Sequence, residues 1–465
     1  MIEGEFAAPS PGALADEVAA VLIGRRDPGV ETFERLLGAL VVHGHRDRAA
    51  LMAALESVPR AFAARPDLPV RRLAGVVAAA REPIPAGEPR EKPGVGWLEV
   101  CQHMALDYVA GTRTAEVAAR LRSGDPVPFL LSVPSGPGGL VEPQALVERL
   151  AAYGRLGVRP GPADLGQALL RCGGPVDPDV LRAAERLDLP EGQRVADWLR
   201  QGGLPAPQGW RERERGVPER PSRRRGARIG RRILVGHEAI EGRGAFPRPF
   251  WSLFRKFEPG IPCPHYSLVD GRDAHMVAVL PRHPEVAAAR MLTGVASAAD
   301  QNGPGAPAFL DALAAADGPA GPAVHLAVAY GLAAIPQGER EAAVRALVLL
   351  TARGRLDGEL LGRELTELVG LGTLKVPLLT ESLRAAAAAP QGAAGVWAVL
   401  ADALPGLLAH TRPQAHGALL AVAADAARCS GARGELPEVT ALAGRAGSSM
   451  LLKEARRLRD VLAGH

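Results

Sequence analysis

At 465 residues the chain is too long for one ordinary domain. Hydrophobic residues at 47%, charged residues at 23% and a mean hydropathy of +0.03 exclude a disordered or fibrous polypeptide. The net charge is only +4, and all but four of the 55 basic residues (Lys92, Lys256, Lys375, Lys453) are Arg, so Arg abundance alone does not argue for nucleic-acid binding. Aromatics make up 4%, and an Ala-, Leu- and Val-rich chain favours helices packed closely through small side chains.

No stretch approaches the roughly 20 uninterrupted apolar residues of a bilayer span. Glu3 and Glu5 stand where a secretion signal would be basic. Cys101, Cys172, Cys263 and Cys429 show no paired spacing, so free thiols in a cytoplasmic protein without membrane insertion are expected.

From Ala13 to about Arg200, short helical patterns alternate with Gly and Pro. Helices are predicted near Ala13 to Leu22, Val30 to Val42, Asp47 to Ala64 and Pro69 to Ala80. In the second of these Phe33, Leu36, Leu37 and Leu40 form one stripe. Two more are predicted at Leu98 to Val109 and Thr114 to Arg122. Glu142-Pro143, Gly161-Pro162 and Asp177-Pro178 each place Pro where a first helical turn accepts it. Such short helices cannot bury their faces alone and must stack on neighbours. Ser135-Gly136-Pro137-Gly138-Gly139 reads as a turn between helices, because the Lys-Ser/Thr of a phosphate loop is missing.

Between Arg211 and Arg232 ten Arg face three Glu, a local net of +7, so the positive charge is concentrated there. Pro218, Pro221 and three Gly argue against a helix, and the segment reads as a solvated tether between helical arrays. Arg223, Arg224, Arg225, Arg228, Arg231 and Arg232 are its candidate groups for an anionic partner. Six of the 18 aromatics follow within 21 residues. Phe250, Phe254 and Phe257 recur at helical spacing after Pro249. Together with Trp251 they read as a peg docked on neighbouring helices or as a hydrophobic anchor for a partner. Cys263, His265 and His275 match no standard zinc frame, so neither a metal nor a cofactor is expected.

From Pro284 the helical patterns become longer. Starts at Gly338, Thr373 and Gln414 enclose two helices each, at intervals of 35 and 41 residues, the range of HEAT and armadillo repeats. Ser448 or Ser449 is expected to cap the last helix. The reading is an all-α chain, an α-solenoid of HEAT/armadillo-like helix pairs in two arrays. Its parts are an N-terminal helical segment (1–125), a helical-repeat segment (126–205), a basic and aromatic bridge (206–283) and a C-terminal helical-repeat array (284–465).

Several stretches carry a resemblance: Pro128-Phe129-Leu130-Leu131-Ser132-Val133-Pro134, Leu146-Val147-Glu148-Arg149-Leu150, Pro160-Gly161-Pro162-Ala163-Asp164-Leu165, Gln167 to Arg171, His283-Pro284-Glu285-Val286, and the close around Gly434 to Pro437 and Ala455 to Leu458. From about Val127 onward the chain resembles a family of HEAT-like helical proteins from actinobacteria, a domain of unknown function. The resemblance implies a repeat-like helical fold and supplies no catalytic residue or cofactor. The expected function is a non-enzymatic scaffold or adaptor for protein–protein interaction. The alternatives are nucleic-acid association through Arg211 to Arg232 and an enzyme or metal site at Cys263, His265 and His275.

Overall fold

The computed structural model describes residues 8–24, 28–59, 68–81, 102–215, 231–260, 273–303, 305–409 and 416–464. Among the described residues the structure is all-α apart from one small two-stranded ribbon, and the chain divides into two compact units. Unit 1 comprises Met1–Gln208, Glu238–Phe257 and Asp270–His283, and unit 2 comprises Gly209–His237, Glu258–Val269 and Pro284–His465. The stretch read as a separate bridge is thus shared between the units.

Unit 1 contains α1 (Pro11–Gly24), α2 (Val30–Arg46), α3 (Arg48–Leu55), α4 (Leu68–Arg81), α5 (Ala105–Ser123), α6 (Pro143–Leu156), α7 (Pro162–Arg171), α8 (Pro178–Glu185), α9 (Pro190–Arg200) and, after the ribbon in sequence, α10 (Asp273–Val279). The stripe of Phe33, Leu36, Leu37 and Leu40 is buried. Pro143, Pro162 and Pro178 each open a helix. Where two helices were expected on either side of Gly111, α5 runs through unbroken. The aromatic peg is a 3₁₀ turn, Arg248–Phe254, so Phe257 falls beyond it. Phe246 nevertheless packs on Trp198, with centroids at 5.3 Å, and gathers Phe254 at 4.8 Å and Phe250 at 6.2 Å around it. Phe257 is also buried, edge-on to His103.

In unit 2 the ribbon consists of β1 (Gly209–Arg215) and β2 (Arg231–His237), antiparallel with Gly209 opposite His237 and Arg215 opposite Arg231. The helices follow: α11 (Pro284–Asp300), α12 (Pro307–Ala315), α13 (Pro322–Leu332), α14 (Gln337–Ala352), α15 (Gly358–Gly370), α16 (Val376–Ala388), α17 (Gly392–Ala409), α18 (His416–Ser430), α19 (Pro437–Ala443) and α20 (Met450–Ala463). Ser449 caps α20 through Leu452 N–H. Alternate helices pack on one another. The series α11, α13, α15, α17 forms one row, α12, α14, α16, α18, α20 a second, and pairs such as α13 with α14 and α16 with α17 join them.

β2 lies on the first row, against α11, α13 and α15. α13, buried from Ala323 to Leu332, packs against β2 as well as against α11, α14 and α15. α17 has 18 residues and a hydropathy of 1.5, enough by length and composition to cross a membrane. Here Val396, Val399, Leu400, Ala403, Leu404 and Leu407 are buried, and the helix packs against α15, α16 and α18.

Several helix starts share one device. Gly161, Ala306 and Gly321 precede α7, α12 and α13, and none has a side chain able to cap. Glu116 of α5 accepts from Ala163 and Asp164 N–H at 2.9 and 3.0 Å. Glu339 of α14 accepts from Ala306 N–H at 2.7 Å. Glu285 of α11 accepts from Gly321, Ala323 and Val324 N–H at 2.7 to 2.9 Å. A Cβ on Gly161 would stand 1.9 Å from Glu116 Oε1, and one on Gly321 would stand 3.0 Å from Glu285. The glycines make room for a carboxylate that arrives from another helix.

Candidate functional site

Pro128-Phe129-Leu130-Leu131-Ser132-Val133-Pro134 is apolar and buried around Leu131 and Ser132, yet no strand pairs with it among the described residues. Its backbone groups must find partners elsewhere, and in unit 1 they find side chains. Tyr153 Oη donates to Phe129 O. Arg149 Nη1 donates to Leu131 O and Val133 O at 2.8 and 2.6 Å, and Arg171 Nη1 to Ser132 O at 2.6 Å. Asp164 accepts from Leu131 N–H at 2.6 Å, and from both the N–H and the hydroxyl of Ser132.

These charges form one buried cluster. Glu34 Oε1 on α2 receives Arg113 Nη1 of α5 and Arg171 Nη2 of α7, each at 2.7 Å. Arg113 Nε lies 3.6 Å from Asp164 Oδ1. All four side chains are 5% exposed or less. Burial opposes ionisation of Glu34, but the Arg113 and Arg171 guanidiniums outweigh it and hold the carboxyl down at about 2. Each charge is therefore paired, as a buried ion requires.

The cluster fixes one wall of a cleft of about 820 Å³ between α2 and the turn that follows Val133. Pro9, Pro28, Ala39, Val42, Pro134 and Pro137 give it an apolar surface, with Glu31 and Arg35 at the α2 side. The turn closes on itself rather than forming an open amide loop. Ser135 and Gly136 N–H both donate to Leu140 O at 2.9 and 3.1 Å. Gly139 has φ +95°, and a Cβ there would stand 2.9 Å from Ala278 Cβ.

The residues singled out in the sequence are placed differently. Arg232, proposed for a surface anion, is buried and pairs through two nitrogens with Asp300 at 2.7 and 2.8 Å, which removes it from any anion site. Arg231 is exposed, and its carbonyl accepts from the Thr373 hydroxyl. Arg223, Arg224, Arg225 and Arg228 lie outside the described residues, as do Cys263 and His265. His275 is buried edge-on to Phe33 at 5.2 Å. Among the described residues no group of His, Cys, Asp and Glu is placed to hold a metal ion.

Of the four candidate anchors, Phe250, Phe254 and Phe257 are 3% exposed or less, so they are core rather than a contact surface. Trp251 alone is half-buried. Sequence reading missed Glu34, Arg113, Arg149, Asp164 and Arg171, which are spread over 137 positions. The signal available was a charge in a buried helical stripe, as in Leu146, Val147, Arg149, Leu150.

Comparison with known proteins finds no matching family model, no matching curated protein and no matching solved structure. None of the three comparisons supports the resemblance to HEAT-like actinobacterial proteins read from the sequence.

Proposed function

We propose that this protein is a non-enzymatic adaptor of the HEAT/armadillo kind, an α-solenoid in unit 2 joined to a unit 1 that recognises a protein partner in its cleft. The two rows of alternately stacked helices in unit 2 favour the solenoid reading, because repeat arrays bury their cores by stacking each helix on the next but one. The observation that carries the binding reading is the largely apolar cleft beside α2, whose wall is braced by buried ion pairs.

A photo-crosslinking residue at Pro137, in the exposed turn, tests this in cells of the native source. One protein should be captured reproducibly there and not from a control at Glu359 on α15. Gly38 lies on the cleft wall with Val133 Cγ2 3.4 Å from its would-be Cβ, so Gly38→Leu should fill the cleft and abolish capture while the helical circular-dichroism signal is kept. Equal capture at both positions, or capture indifferent to Gly38→Leu, would refute the adaptor reading.

A further inference from the structure

A second surface of unit 1 lies on the 3₁₀ turn Arg248–Phe254. Phe250, Leu253 and Phe254 fill the interior, and Trp251 Nε1 donates to Phe246 O at 3.0 Å, which pins the indole half-buried at the surface. Two exposed guanidiniums lie over that ring, Arg243 with Cζ 5.3 Å from the centroid and Arg248 at 5.9 Å. Among the described residues neither makes an ion pair. Cation–π contact holds the two forks in place without neutralising them. From Gly242 to Phe257 the chain has Arg243, Arg248, Arg255 and Lys256 and no acid, while Glu238, Glu241 and Glu258 flank the stretch.

We propose that Trp251, Arg243 and Arg248 form a docking surface for an acidic segment of a partner protein, whose carboxylates are taken by the two guanidinium forks while the indole covers apolar side chains between them. A planar fork matches a carboxylate with two parallel bonds, and Trp with Arg is the composition of interface hot spots. A nucleic-acid strand fits less well, because it needs a continuous positive track and this one is bounded by Glu on both sides. The choice of a protein as occupant rests on the adaptor reading, whereas the surface is separate from the cleft.

The test uses the full chain with Arg223, Arg224 and Arg225 changed to Glu, so that the Arg-rich segment does not mask the result. Fluorescent poly-L-glutamate and oligothymidylate are the probes, read by anisotropy at physiological salt. Poly-L-glutamate should bind, and R243A/R248A and W251L should each weaken it by about tenfold or more. R243K/R248K, which keeps charge but loses the forks, should restore only part of the binding. Unchanged circular dichroism reports that the fold is kept. Equal binding by R243A/R248A, no binding of poly-L-glutamate, or tighter and Arg243/Arg248-dependent binding of oligothymidylate would each overturn the proposal. Capture from Pro137 that Gly38→Leu abolishes would uphold the adaptor reading even then.

Discussion

Unit 1 and unit 2 both bury a segment that is not helical, and they satisfy it by opposite means. In unit 1 the stretch Phe129 to Val133 has no strand beside it, so Arg149, Tyr153, Asp164 and Arg171 supply its hydrogen bonds one group at a time. In unit 2 the equally apolar β2 has β1 on one edge, and side chains only key it to the helices. Tyr330 Oη accepts from Ile233 N–H at 2.8 Å and donates to Ile233 O at 3.0 Å, while Arg232 pairs with Asp300. Arg211 and Arg213 of β1 reach Glu364 and Glu367 of α15. A side-chain network is all-or-none, whereas a strand keyed at several points can lose one. Unit 1 should therefore be the more fragile of the two.

Removing Glu34 tests this most severely. Glu34→Ala leaves Arg113 and Arg171 buried without their shared carboxylate, and unit 1 should lose about 3–5 kcal/mol. In urea unfolding the unit 1 transition should move and the unit 2 transition stay. A shift of both together would break the comparison. Tyr330→Phe is its counterpart in unit 2: Ile233 loses partners for both backbone groups, at a cost of roughly 2 kcal/mol, with the ribbon still paired. A loss as large as that of Glu34→Ala would show that the ribbon is no more tolerant than the cluster.

Next in size are the helix starts. Gly161→Ala drives a methyl into Glu116 and should cost about 1–2 kcal/mol. Gly338→Ala, at an open first turn of α14, should instead stabilise by a few tenths to about 1 kcal/mol. Thermal melts of the two variants should shift in opposite directions.

Acid sharpens the comparison further. Glu34 is held at about 2 against an ordinary 4.5, so its stabilisation is complete above the unfolded value and is lost as pH falls from about 4.5 through 2. Burial, helped by Arg282, lowers His283 to about 4 from 6.5. The unfolded chain then binds the proton first, and stability drains as pH falls from about 6.5 to 4. Both groups belong to unit 1, so His283→Gln should flatten its stability between those values and leave the acid limb below about 4.5 unchanged. The smallest expected effect is chemical. Burial pushes the Cys172 thiol up to about 12, while Cys429 is exposed, so alkylation mapped by mass spectrometry should mark Cys429 and spare Cys172 until unit 1 unfolds.

Most helices of both units were legible because they depend on local pattern. Periodic Leu and Val, Pro at the first turn and Ser449 at the last cap all declare themselves within a few residues. The ribbon was not. Arg211-Glu212-Arg213-Glu214-Arg215 does alternate with the period of a strand, but its charges read as a solvated tether, and its partner Arg231–His237 lies beyond an Arg-rich stretch. The cleft was less legible still, because its wall depends on charges from α2, α5, α6 and α7 that meet only in three dimensions. Trp251 was singled out among buried neighbours, yet only the packing of Phe250 and Phe254 tells which ring reaches the surface.

The carboxylates that cap from a distance carry a consequence for how unit 2 assembles. Because Glu285 of α11 closes the start of α13, and Glu339 of α14 that of α12, neither α12 nor α13 reaches full stability until the helix that caps it has docked. Neighbour coupling of this kind raises the cost of a boundary between folded and unfolded helices. The four helices from α11 to α14 should therefore melt together, and a chain cut after α13 should fray at α12, the element whose cap has been removed.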